Sequence, residues 1–409
     1  MATDPPFAFD IDFVRGHFPA LETPWALFDN AGGSVPARGV IERMADHMAR
    51  LPVQLGASYE LSVRAREAVE AGREAAAQLL NASRGEIVFG PSSTILVGIL
   101  ARALRPLWKE GDEVVVTNLD HETNIGPWRE LEATGIHCRE WGLRPESGEL
   151  FLDDLEPLLN ERTRLVAFTH CSNIVGTIQD VRAISARIRE AGALSCVDGV
   201  AFAPHRRVDV VELGVDFYFA SLYKVYGPHL AVLFGRRELL EEARGQNHFF
   251  VSEEQVPVKL EPGNVSYELA ACLPGITAYL EGLAQRHAVA PGLSSAFDLI
   301  ATREAKLVGP LLAFIGDHPR CRVLGRPCAD PAERVPTVSF TVEGMRSSEV
   351  VERLEKHRVA VRFGHFYAYR VIDTLGLMEC DGAVRASLLH YNTEDEVQRL
   401  IGALEGALT

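Results

Sequence analysis

The chain reads as an α/β protein, with a largely parallel sheet covered on both faces by helices and a smaller α+β unit behind it. Between residues 86 and 198 short apolar strands alternate with helical stretches, the rhythm of parallel strands joined by crossovers. After about residue 270 that rhythm stops, and long helices lead into a few strands near the C-terminus. The 409 residues suffice for one large and one smaller core, and 47% hydrophobic with 24% charged residues suits a globular protein.

Residues 1–20 read as an N-terminal arm, 21–285 as the large domain and 286–409 as the small one. Leu27-Phe-Asp-Asn-Ala-Gly-Gly33 carries glycines that let backbone pass close to a neighbour. Residues 36–50 and 61–81 have apolar and charged positions at helical spacing. Strands are predicted at 86–89, 113–117, 137–142, 164–169, 194–198, 216–220 and 230–234. Helices are predicted at 94–107, 128–134 and 181–191. Long helices follow at 269–286 and 294–314. The strand 337–341, helix 347–357, strand 359–362 and helix 394–408 complete the small unit.

The formal charge is −15, distributed along the chain, which argues against a nucleic-acid or anionic-membrane surface. No apolar run is long enough to span a bilayer, and Met-Ala-Thr-Asp-Pro-Pro opens no secretory signal. The seven cysteines are scattered without a CxxC pair, which disfavours a disulfide framework or a metal site and makes a reducing cytoplasm the expected location.

Chemistry concentrates at strand ends, where open parallel sheets bind their ligands. Lys224 lies between two apolar strands, in Ser221-Leu-Tyr-Lys-Val-Tyr-Gly-Pro228. A lysine there is paired, neutralised, used covalently or simply solvated in a loop; a Schiff base to pyridoxal phosphate is one covalent use. Asp198 ends a strand and suits a pyridinium partner or a helix cap. Ser92 and Ser93 open a helix after Gly90-Pro91, as a phosphate site does and as ordinary capping serines do. Ser221 is a third candidate donor. His121 suits ring stacking, acid–base work or a plain surface position. Asn173 suits donation to a ring hydroxyl or a turn.

In their order and spacing these residues resemble the fold-type I pyridoxal-phosphate enzymes, most closely the class V aminotransferase family and its cysteine desulfurase-like branch. The resemblance runs from Asp29 to the Tyr391-Asn-Thr-Glu-Asp-Glu-Val segment. It is carried by His121-x-x-Asn-Ile-x-Pro-Trp128, Thr169-His-x-Ser-Asn173, Val197-Asp-Gly199, Ser221-x-x-Lys-x-Tyr-Gly-Pro228 and Arg385-Ala-Ser-x-x-x-Tyr-Asn-Thr393. It implies a mainly parallel seven-stranded sheet, with pyridoxal 5'-phosphate bound to Lys224 and Asp198 on the ring nitrogen. His121 would stack on the ring, Asn173 meet its hydroxyl, and Ser92, Ser93 and Ser221 hold the phosphate. Arg385 would take the substrate carboxylate, with Arg362 and Asn30 beside it. A homodimer is implied, its Gly263-Asn-Val-Ser266-Tyr267 loop reaching the partner's site.

Three departures bear on the reaction. In desulfurases a mobile loop before the arginine carries a nucleophilic cysteine; in Arg362-Phe-Gly-His-Phe-Tyr-Ala-Tyr-Arg370, Tyr367 holds that place, and a phenol forms no persulfide. Cys380 is the nearest thiol in sequence and reads as incidental. Tyr223 stands where desulfurases typically have a histidine, and Ala201 where many have a glutamine. The expected activity is a C–S or β-elimination lyase on a small amino acid, with Tyr367 or His365 as acid. The alternatives are an aminotransferase, a racemase or epimerase on the same scaffold, and a catalytically idle interaction protein.

Overall fold

The computed structural model describes residues 9–408. Seven strands make the large sheet: β1 Ile87–Gly90, β2 Glu113–Thr117, β3 His137–Trp141, β4 Thr163–Thr169, β5 Leu194–Asp198, β6 Phe217–Ser221 and β7 Ala231–Gly235. Their spatial order is β1-β7-β6-β5-β4-β2-β3. Only β7 is antiparallel to its neighbours, so the sheet is mainly parallel, as expected.

Neighbouring residues of one strand feed two different cores. Val166 and Phe168 of β4 pack on one face, with the helices Glu60–Leu80, Val181–Glu190 and Pro274–Arg286. Leu165 and Ala167 pack on the other, with the helix Ser93–Leu104, Trp108 and Trp128. Each fully buried Val, Leu or Phe contributes roughly 1.5–3 kcal/mol, so a strand apolar at every position is anchored from both sides.

A second, all-antiparallel sheet has the order β10-β11-β9-β8, from β8 Cys321–Leu324, β9 Thr337–Val342, β10 Arg362–Gly364 and β11 Ala383–Ser387. Its core takes Val338, Phe340 and Val384, the helices Ser347–Glu355 and Glu394–Leu408, and also Ala26 and Phe28 from near the N-terminus. The helix Leu293–Asp317 joins the two cores: Ala296, Phe297 and Ile300 belong to the large one, Leu307 to Ile315 to the small one.

Three expected elements take another form. The single helix over 269–286 is two, Tyr267–Ala271 and Pro274–Arg286, because Pro274 has no N–H for a continuous ladder and instead starts the second. The strand over 359–362 splits. Val359–Ala360 pairs in parallel with Ala26–Leu27, and Arg362 then begins β10 against β11. The arm, as far as it is described, holds the helix Ile11–Gly16, whose Val14 lies in the large core with Phe18; residues 1–8 of the arm lie outside the described residues. Among the described residues no helix is long and apolar enough to cross a membrane.

Candidate active site

Sheet register builds the floor of the site. Thr169 pairs with Asp198 and Asp198 with Phe219, so the carboxyl ends of β4 and β5 stand level and β6 runs two residues further, to Ser221. Gly90 and Ser221 both pair with Ala231, from opposite sides of β7. That shared neighbour brings two distant segments together: Ser93 Oγ lies 2.7 Å from Ser221 Oγ. Gly199 lets the chain turn away tightly after Asp198, since a Cβ there would fall 2.1 Å from the Tyr218 ring.

A cavity opens over these strand ends. Ser92, Ser93, His121, Asn173, Asp198, Ser221 and Lys224, all expected from sequence, line it together. Ser92 caps the helix Ser93–Leu104 by accepting from the Ile95 N–H at 3.2 Å, so the amides of that first turn face the cavity end. His121 Nδ1 accepts from the Thr123 N–H at 3.1 Å, which puts the ring proton on Nε2. Burial, with Lys224 and Arg385 nearby, pulls the His121 imidazole down to about 3, so it is neutral at physiological pH and suited to stacking rather than to donating as an imidazolium.

Lys224 is 7% exposed, and its amine has no hydrogen bond or ion pair among the described residues. Burial, reinforced by the Arg385 charge, lowers it to about 8; Asp198 and Asp29 oppose the shift. Asp198 is driven the other way, above the usual carboxylate range, chiefly by burial, and the Val200 N–H donates to it at 2.8 Å. A buried lysine disposed to lose its proton beside a buried aspartate disposed to gain one is an incomplete set of charges. A phosphate-bearing, protonated pyridine aldehyde would complete it: Asp198 would hold its cation, Lys224 would take its carbonyl, and the serines and helix amides would hold its phosphate. The residues present therefore fit pyridoxal phosphate.

Asn173 differs from expectation in which of its atoms is open. Its Nδ2 donates to the Phe366 carbonyl at 2.9 Å, and its buried Oδ1 has no partner. The atom left without a partner is therefore an acceptor, where a donor was expected.

The residues expected to meet the substrate arrive from the small sheet. Arg385 on β11 pairs in register with Arg362 on β10. Arg385 is 2% exposed; its Nη2 donates to Asp29 Oδ1 at 3.0 Å, its Nη1 to the Asn173 carbonyl at 3.3 Å, and its Nε has no partner. Burial lowers its pKa to about 10, opposed by Asp29, and it stays charged at physiological pH. Arg362 Nη1 is 3.6 Å from the other Asp29 oxygen. Asn30 is placed elsewhere: its Nδ2 donates to the Leu27 and Ser387 carbonyls and its Oδ1 accepts from Tyr391, so its polar atoms tie the N-terminal segment to the small sheet.

The loop after β10 also differs. Tyr367 is 67% exposed, with its ring 5.5 Å from His121, and His365 is exposed; neither lines the cavity. Phe366 is the buried aromatic residue of this loop, at 7% exposure, and the Arg385 guanidinium lies 4.0 Å from its ring centroid. Sequence reasoning passed over Phe366, Asp29, Thr94, Thr123 and Cys171. Thr94 and Thr123, joined by a 2.8 Å hydrogen bond, line the cavity; Thr94 was findable as the residue after Ser92-Ser93 in a helix's first turn. Cys171 also lines it, but burial pushes that thiol up to about 12, and no thiolate forms there at neutral pH. Cys380 is outside, half-buried, with its thiol donating to the Leu377 carbonyl at 3.3 Å.

Residues 26–400 match the family model for aminotransferase class V. An aminotransferase-like protein of Gibberella zeae is 42% identical over 98% of this chain and 99% of its own length. A cysteine desulfurase-like protein of Aspergillus flavus is 36% identical over 98% of this chain and 91% of its own. The apo structure of a cysteine desulfurase from Thermococcus onnurineus has a TM-score of 0.87 at 26% identity, covering 100% of this chain and 99% of that one.

Proposed function

The chain belongs to the class V aminotransferase family, as a cysteine desulfurase-like pyridoxal-phosphate enzyme, and from that premise we propose that it is a lyase removing a β-substituent from a small α-amino acid without a persulfide relay. The observation that carries this reading is the loop after β10. It sets buried Phe366 against Arg385 and leaves Tyr367 exposed at the rim, while Cys171, the thiol that lines the cavity among the described residues, is held protonated by burial.

Bound pyridoxal phosphate supplies a carbonyl for the lysine amine and an electron-accepting pyridinium ring. Lys224 anchors it and carries the proton at the substrate Cα, a task suited to an amine whose pKa lies near the working pH. Asp198 keeps the ring nitrogen protonated. Ser92, Ser93 and Ser221 hold the phosphate at the helix start, and neutral His121 covers the ring. Arg385 binds the α-carboxylate, with Arg362 at the rim. Tyr367 and His365, expected as acids, stand on the exposed rim, so Lys224 is the proton carrier. A homodimer is supported by exposed apolar side chains, Met48 at 60%, Phe249 at 100% and Phe250 at 71%. The exposed Ser266 before Tyr267 would then face the partner's site.

The test is product analysis of the holoenzyme with cysteine, cysteine sulfinate, and alanine with a keto acid. β-Elimination consumes one water and yields pyruvate, ammonia and the released substituent. Alanine from cysteine without added thiol points to desulfuration, a new amino acid from the keto acid to transamination, and D-alanine to racemisation; any of these in place of pyruvate overturns the lyase reading.

A further inference from the structure

We propose that Phe366 is a positioning residue for substrate recognition: its ring holds the Arg385 guanidinium so that the Nε–Nη2 edge is presented to the substrate's α-carboxylate. The inference rests on Arg385 being the carboxylate site.

Three observations meet here. The guanidinium carbon lies 4.0 Å from the Phe366 ring centroid, so the ring covers one face of the cation and shields it from water. Two of the arginine's nitrogens are already placed, Nη1 on the Asn173 carbonyl and Nη2 on Asp29 Oδ1. Nε is buried without an acceptor. A buried charged donor left open is costly, and a carboxylate on the Nε–Nη2 edge removes that cost through a two-point contact. Amides and amines lack the charge for it.

The ring is itself held in place. The Phe366 carbonyl accepts from Asn173 Nδ2, and the Tyr367 carbonyl accepts from the Glu122 N–H at 2.8 Å. Both residues have left-handed backbone, with φ of 51° and 59°. That conformation turns Phe366 inward and Tyr367 outward, and non-glycine residues keep it only where neighbours fix it. Phe366 thus links two residues of the site, taking Asn173 by its carbonyl and Arg385 by its ring.

The experiment uses holoenzyme and 2-methylalanine, which has no Cα proton to lose, with its carboxamide as control; binding is read from the change in visible absorbance. Wild type is expected to bind the acid more tightly than the amide. Phe366→Leu, apolar but without a π face, is expected to weaken the acid about tenfold and leave the amide unchanged, and Phe366→Tyr to restore the preference. Unchanged cofactor absorbance in both variants shows that they fold. Equal acid affinity in wild type and Phe366→Leu overturns this inference alone. Equal binding of acid and amide by wild type overturns the role of Arg385 and the inference with it. Wild type without cofactor absorbance overturns the reading of the whole site.

Discussion

The floor of the cavity and its substrate side are held by different means. Asp198, Ser221 and the Ser92-Ser93 turn sit at the ends of strands buried on both faces, and hydrogen-bond register fixes their spacing to within one residue. Moving any of them means slipping a strand, which would turn its side chains to the wrong faces. The substrate side depends on one loop, one arginine and an aspartate 356 positions away in sequence. Such a region changes by point substitution without touching either core. On the proposed reading, the sheet sets the cofactor and the loop the reaction.

The largest effect is expected on the floor. Lys224→Ala removes the proposed anchor and proton carrier together, and activity should fall at least a thousandfold, on the order of what a positioned acid–base group contributes. The variant should also lose the cofactor's visible band after gel filtration. Retention of that band would show that another residue anchors it and would undo the comparison. Arg385→Lys tests the other side. It keeps the charge but loses the two-point fork, which is worth roughly 1.5–3 kcal/mol, so kcat/KM should fall about ten- to a hundredfold, mostly through KM. A fall in kcat with unchanged KM would place Arg385 in the chemical step instead.

Those two regions were also unequally legible in the sequence. Strand-end residues could be read because a βα rhythm places every strand's carboxyl end on one edge, so Asp198, Asn173 and the serines fell on one side before any coordinates. Inward and outward positions in the loop could not be read. Two consecutive left-handed residues, neither of them glycine, leave no mark in composition, so the resemblance that points to Tyr367 in the cysteine's place carries no sign that Phe366 is the buried one. The Asp29–Arg385 pair was hidden by its separation, and Cys171 by the turn that folds it into the cavity wall. The break between Ala360 and Arg362 was equally silent, because one apolar run serves two sheets.

A smaller effect sharpens the electrostatic side of the comparison. Lys224 attacks a carbonyl only when neutral. With its pKa brought down to about 8, the protonated form dominates below that pH and the reactive form above it. Loading of apo protein with pyridoxal phosphate, followed by absorbance, should speed up as pH rises and level off above about pH 8. An unperturbed lysine would keep accelerating to above pH 10. A profile of the second kind would mean that the floor does not desolvate its lysine.

The smallest effect belongs to the residue that first marked the departure from desulfurases. Tyr367→Phe keeps the ring over His121 and removes only a hydroxyl on a side chain that is 67% exposed. A general acid must lie within hydrogen-bond reach of the atom it protonates, and a positioned one contributes roughly 10²–10⁴-fold. The expected loss in kcat is less than about threefold, since an exposed hydroxyl is readily replaced by water. A hundredfold loss would bring the phenol over the substrate, and the loop would then supply chemistry as well as shape. His365→Ala run alongside separates the two rim residues: its ring meets Tyr367 and Tyr369 edge-on and its Nδ1 accepts from the Tyr367 N–H at 3.2 Å, so losing it should alter KM through the loop and leave kcat nearly unchanged.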